Sequence, residues 1–206
     1  MKKIGIVGWN TGENSFGSTK PYLEWLAQHG EVIILTPQKG IVEELDLLIL
    51  PGGLDMSPSL AGNVPSYYNS NIDVMKQYFY DVNLPQYIHS NIPVFGICLG
   101  FQQLCVMFGG TLVQNYPFNY STKNRSEFVD KLTFVEGYPQ GKYEVNSLHH
   151  QGCFDLGQNM VIAREHQDGN VEIAKFTENI YGVQFHPEEI NDPFSNNIIK
   201  KLLKLQ

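Results

Sequence analysis

Residues 92–110, IPVFGICLGFQQLCVMFGG, change character at one point. The first six form a short apolar run, the pattern of a strand buried on both faces. From Gly100 the apolar density continues at helical length and closes on two glycines. A strand passing directly into a helix belongs to a parallel sheet covered by helices. At the junction stands Gly96-Ile97-Cys98-Leu99-Gly100. In a sharp strand-to-helix turn the residues two before and two after the exposed side chain crowd each other, so small residues are required there.

The same alternation runs through the first half. Residues 3–8, 31–35 and 45–53 read as apolar strands. Residues 19–30, with Pro21 near the start and Gly30 at the end, read as a helix presenting Tyr22, Leu23 and Leu26 on one face. Residues 71–91 read as a helix broken near Pro85. In the second half KLTFVEG, NMVIAREH, NVEIAKF and IYGVQF are strand-like pieces separated by turn residues, which suggests an antiparallel addition to the sheet. The tail 192–205 places Phe194, Ile198, Leu202 and Leu205 at helical spacing, the pattern of a packing helix. The fold class expected is α/β, a mostly parallel central sheet flanked by helices with an antiparallel extension, in one domain spanning 1–206.

Cys98 at such a turn sits at the carboxyl edge of the sheet and at a helix N-terminus, where the dipole and free N–H groups favour thiolate. Taken alone, G-x-C-x-G fits a small buried hydrophobe equally well. Cys105 falls two helical turns later among Leu104, Val106 and Phe108 and reads as core, and Cys153 as structural. A thiol nucleophile needs a base, and the base an orienter. His186 follows YGVQF and precedes Pro187 and Glu188, so in an extended segment Glu188 lies on the same side as the ring. Leu-Ile-Leu-Pro-Gly-Gly (48–53) brings bare backbone to the same edge, where N–H groups can face an oxyanion. A simple tight turn would use Pro-Gly-Gly as well.

Together PGG, GICLGFQ and GVQFHPE resemble the class I glutamine amidotransferase fold, which is flavodoxin-like. The longer series LLILPGGLDMSP, PVFGICLGFQQL, GGTLVQ, VNSLHHQ, DGNVEIAKF and YGVQFHPE, from about residue 45 to 189, is similar to the γ-glutamyl hydrolase-like branch, peptidase C26. The resemblance implies that Cys98 attacks a γ-glutamyl carbonyl, with His186 as base and then acid and Glu188 as orienter. It places the N–H groups of Gly53 and Leu99 at the oxyanion, with Gly52 in the same oxyanion and substrate-binding group, Gln102 on the glutamyl moiety, and His149 and His150 along the cleft. It implies a γ-glutamyl thioester and a reaction without metal or organic cofactor. Many members of that branch carry Arg after the nucleophile, where this chain has Leu99.

The substrates implied are γ-glutamyl amines, folate-type γ-glutamyl chains and γ-glutamyl–nucleotide conjugates. Two other readings stand beside the hydrolase: a glutaminase subunit feeding ammonia to a separate synthase, and a non-catalytic binding module that kept the fold. Loss of a triad member would mark the last, and none is lost. In a chain of net charge −7, Lys123 and Arg125 lie close together in the loop 116–128. They read either as a solvated pair beside Glu127 and Asp130 or as contacts to an anionic leaving group, with Tyr116, Phe118 or Tyr120 stacking on a ring.

That net charge gives no reason to expect nucleic acid or an anionic membrane as partner. No apolar stretch is long enough to span a bilayer. Three cysteines without C-x-x-C spacing point to no disulfide framework and a cytoplasmic protein. His149 and His150 lack a third suitably spaced ligand, so no metal site is expected. His29, His89 and His166 read as surface residues. The expected partner is a small-molecule γ-glutamyl substrate, with a homodimer or a docked synthase left open. The stretch 9–18 has no assigned role.

Overall fold

The structure, a computed structural model, describes residues 1–37, 40–42, 44–56, 72–114, 130–136, 138 and 142–205. In chain order the strands are β1 (Lys3–Val7), β2 (Trp9–Gly12), β3 (Ser15–Gly17), β4 (Glu31–Leu35), β5 (Leu47–Leu50), β6 (Val94–Ile97) and β7 (Thr111–Val113). They continue as β8 (Asp130–Phe134), β9 (Glu144–Val145), β10 (Gly152–Asp155), β11 (Met160–Glu165), β12 (Val171–Thr177) and β13 (Ile180–Val183). The helices are α1 (Lys20–Ala27), α2 (Val74–Tyr78), α3 (Leu84–His89), α4 (Leu99–Met107), α5 (Pro187–Ile190) and α6 (Pro193–Leu202).

The main sheet has the order β4-β1-β5-β6-β13-β12-β11-β8-β9. Its first five strands run parallel, the flavodoxin-like arrangement, and β12, β11, β8 and β9 extend it antiparallel. IYGVQF therefore departs from the sequence expectation. As β13 it pairs parallel to β6, with Gly182 opposite Gly96, and starts the antiparallel extension only through its other edge. Both edges of β13 are covered, and all four of its residues are buried.

Alternation sorts the core into two layers. Leu47 and Ile49 of β5 face one cluster, with Trp25, Leu26 and Ile199 from α1 and α6. Leu48 and Leu50 face the other, with Phe79, Leu84 and Leu104. Each such side chain contributes about 1.5–3 kcal/mol by leaving water. In α6, Asp192 caps the first turn by accepting the Ser195 N–H at 2.7 Å, and Pro193 occupies a position where an N–H would be orphaned anyway. Ile198 and Leu202 are buried as expected, whereas Leu205 lies beyond the helix and is exposed.

The irregularity expected at Pro85 lies earlier. Residues Phe79–Asn83 form a π-helical turn between α2 and α3, and the Leu84 N–H reaches back to Phe79 O. Pro85, which has no N–H, then sits in the first turn of α3, where none is needed.

Candidate active site

Strand β6 ends directly in Cys98, whose backbone adopts φ 50° and ψ −106° before α4 begins. A non-glycine residue held there stores on the order of 1–3 kcal/mol of strain. The surroundings fix it. The Cys98 N–H donates to Val183 O at 2.9 Å, and Cys98 O accepts from the Gln102 N–H at 2.9 Å. A Cβ on Gly96 would lie 2.8 Å from Gly100 O, and one on Gly100 would lie 2.2 Å from Leu50 O. Both glycines are thus required by close approach of backbone, as the turn demands.

Because β13 is parallel to β6, its carboxyl end delivers His186 to the same edge. His186 Nδ1 lies 2.7 Å from Glu188 Oε1, both side chains being buried. Glu188 reaches it from the first turn of α5, with His186 as the cap and Pro187 opening the helix, rather than from an extended strand. Asn146 clamps the His186 backbone at two points. Its Oδ1 accepts the His186 N–H at 2.8 Å, and its Nδ2 donates to His186 O at 3.1 Å. Burial alone would lower the His186 pKa, but the Glu188 charge, and after it the neighbouring Cys98, raise it to about 10.

Opposite lies a cavity of about 340 Å³ whose wall includes Trp9, Tyr22, Gly53, Lys76, Cys98 and His186. The Gly52 N–H donates to the Tyr22 hydroxyl at 2.9 Å, and Gly52 O accepts from Lys76 Nζ at 2.7 Å. Gly52 therefore has its backbone engaged on both sides, while Gly53, expected at the oxyanion, lies at the cavity wall. A Cβ on Gly52 would come within 2.6 Å of His186 Cε1, so only glycine lets the ring approach. Burial and the Glu188 charge push the Tyr22 hydroxyl well above its ordinary pKa, so it stays neutral.

On the other side of Cys98 a narrow cleft of about 40 Å³ is lined by Gln102, His149, His150 and Gln151. Gln102 Nε2 donates to Gln151 O at 3.0 Å and Gln184 Oε1 at 3.2 Å. His149 has Nδ1 2.9 Å from Gln151 O, and burial drops its pKa to about 4, leaving a neutral imidazole. His150 Nε2 lies 2.7 Å from Asp55 Oδ1. No group of side chains suited to a metal occurs among the described residues.

Cys105 and Cys153 are fully buried in the same core cluster, as core residues. His89 and His166 are exposed, but His29 is half-buried, 3.0 Å from Asn196 Oδ1 and edge-on to Trp25. Lys123 and Arg125, with Tyr116, Phe118 and Tyr120, lie outside the described residues. Among those residues no helix is long and apolar enough to cross a membrane.

Four contributors escape the sequence: Trp9, Tyr22 as a site residue, Lys76 and Asn146. Trp9 belongs to the hairpin β2–β3, a stretch whose sequence suggests no role. Lys76 carries a signal, since it stands three and four residues before Phe79 and Tyr80 and so on the core-facing side of its helix.

Residues 20–188 match the family model Peptidase C26. The chain is 30% identical to the glutamine amidotransferase-like protein YvdE of Lactococcus lactis subsp. lactis, over 91% of each chain. It is 31% identical to a glutamine-hydrolyzing GMP synthase subunit of Pyrococcus abyssi, over 59% of this chain and 64% of that one. Among solved structures, a GMP synthase subunit from Thermoplasma acidophilum superposes with a TM-score of 0.66 at 22% identity, covering 99% of this chain and 93% of the other.

Proposed function

The chain belongs to the peptidase C26 family, within the class I glutamine amidotransferase-like superfamily, and on that premise we propose that it is a cysteine hydrolase cleaving γ-glutamyl amides through a thioester. The observation that supports this most is the buried array Cys98–His186–Glu188 beside an open cavity at the sheet's carboxyl edge. A His186 whose pKa is raised to about 10 presents a protonated ring beside the nucleophile, ready to give its proton to the leaving amine.

In this reading the Cys98 thiolate attacks the γ-carbonyl carbon, and the displaced electron pair moves to oxygen. The N–H groups of Gly53 and Leu99 hold that oxyanion. Leu99 opens α4, where N–H groups lack partners within the helix. As the C–N bond breaks, the leaving amine takes its proton from Nε2 of His186, since Nδ1 is held by Glu188. Neutral His186 then takes a proton from water, which attacks the thioester. The C–S bond breaks, glutamate leaves, and the thiolate–imidazolium pair returns. Glu188 orients the ring and supports its charge throughout.

The likeness to the Pyrococcus abyssi GMP synthase subunit supports a second reading, a glutaminase that delivers ammonia to a separate synthase. Glutamate release by the purified chain from γ-glutamyl amines, γ-glutamyl nucleotides, folate-type γ-glutamyl chains and glutamine separates the two. A free-standing hydrolase turns over its conjugate unaided. A glutaminase subunit is nearly silent on all of them until its synthase is added.

A further inference from the structure

Lys76 is 2% exposed, yet its ammonium ends in the cavity that holds the nucleophile. One N–H is spent on Gly52 O, and the Trp9 ring covers another side with its centroid 4.4 Å away. Among the described residues it makes no ion pair. The nearest acid on its own helix, Asp73, is committed through Oδ1 to the N–H groups of Met75 and Lys76. A lysine this deeply buried, with the Asp73 charge acting on it only from outside ion-pair distance, is costly to the fold. It sits on the nucleophile's doorstep, since a Cβ on Gly53 would meet Nζ at 2.7 Å.

We propose that Lys76, walled by Trp9, is the anchor for a substrate carboxylate in this cavity, which would supply the direct ion pair that Lys76 lacks among the described residues. The inference deepens the γ-glutamyl reading and rests on it for the kind of molecule that enters. A carboxylate fits better than a phosphate dianion, because the Asp73 carboxylate already places negative charge on the same wall. The carboxylate can come from the α-carbon of the glutamyl group or from the leaving amine. Lys76 would then discriminate substrates rather than move a proton.

The test uses alkylation of Cys98, followed by mass spectrometry of its peptide, with iodoacetate and with uncharged iodoacetamide. Thiol ionisation affects both reagents alike, so their rate ratio reports attraction of a carboxylate. In Lys76→Met the ratio should fall about tenfold, the worth of one charged hydrogen bond, and Lys76→Arg should restore most of it. A lysine that only braces Gly52 would change both rates together, and a ratio equal to wild type in a folded Lys76→Met chain overturns the proposal.

Turnover of γ-glutamyl-4-nitroanilide and its 3-carboxy derivative identifies the source. Lys76→Met raises KM for both if the glutamyl carboxylate is held, and for the carboxylated anilide alone if the leaving group is. A chain that shows the alkylation preference but hydrolyses no γ-glutamyl compound would sink the hydrolase reading and leave the carboxylate site standing.

Discussion

Gly100→Ala should cripple the site while leaving its chemistry untouched. The added methyl would lie 2.2 Å from Leu50 O and 2.5 Å from Leu50 Cβ. The first neighbour is backbone of a central strand and cannot rotate away. Strand and helix must separate by roughly 0.8 Å merely to reach the closest approach that Cβ atoms tolerate. Overpacking of this kind costs about 3 kcal/mol, or a Tm lower by roughly 6–12 °C in a chain of this size. The shift is passed to Cys98 and Leu99, two and one residues away. A displacement near 1 Å costs about a hundredfold in rate. Thermal unfolding and the rate of Cys98 alkylation by iodoacetamide read the two effects separately. Gly17→Ala, where a Cβ meets nothing within 4 Å, is the control and should be neutral in both. A Gly100→Ala chain with wild-type Tm and alkylation rate would refute the argument from backbone approach.

Cys105→Ala and Cys153→Ala should keep most of the turnover with a Tm a few degrees lower, since both thiols only fill core; loss of activity with unchanged Tm in either would contradict this. Glu188→Gln removes the charge that holds the His186 proton, so the alkaline limb of turnover should move from about pH 10 toward neutrality. The sign follows from a folded-state pKa above the free imidazole's 6.5: the stabilisation is complete below pH 6.5 and is lost as pH rises through about 10. An unmoved limb in the Gln variant would show that Glu188 does not support the imidazolium. His186→Ala should be as damaging as loss of the nucleophile, and Glu188→Gln milder, measured as kcat/KM on the same substrate.

The strand-to-helix turn at Cys98 is legible because its requirements are local: an apolar run, two glycines and a helix at fixed spacing. The parallel order follows from alternating strands and helices. What stays hidden depends on distant partners. The hairpin β2–β3, sequence WNTGENSFG, has no apolar alternation, and its Trp9 is placed by tertiary contacts, edge-on to Tyr22 and over Lys76. The parallel pairing of β13 with β6 joins residues far apart in sequence, which a period-2 pattern cannot reveal. An extended segment would bring Glu188 to His186, but a helical turn opened by Pro187 delivers it instead. Asn146 looks like loop in the sequence, and only the fold brings it to the His186 backbone.

A glutamyl thioester on Cys98 is the species that nucleophilic catalysis must pass through. Wild-type chain is mixed with a γ-glutamyl anilide or amine that it turns over, quenched in acid within milliseconds, and its peptides weighed. A glutamyl group should appear on the Cys98 peptide, be absent in Cys98→Ser, and decay at the rate of glutamate release. Turnover without such an adduct, an adduct on Cys105 or Cys153, or hydrolysis surviving in Cys98→Ala would contradict it.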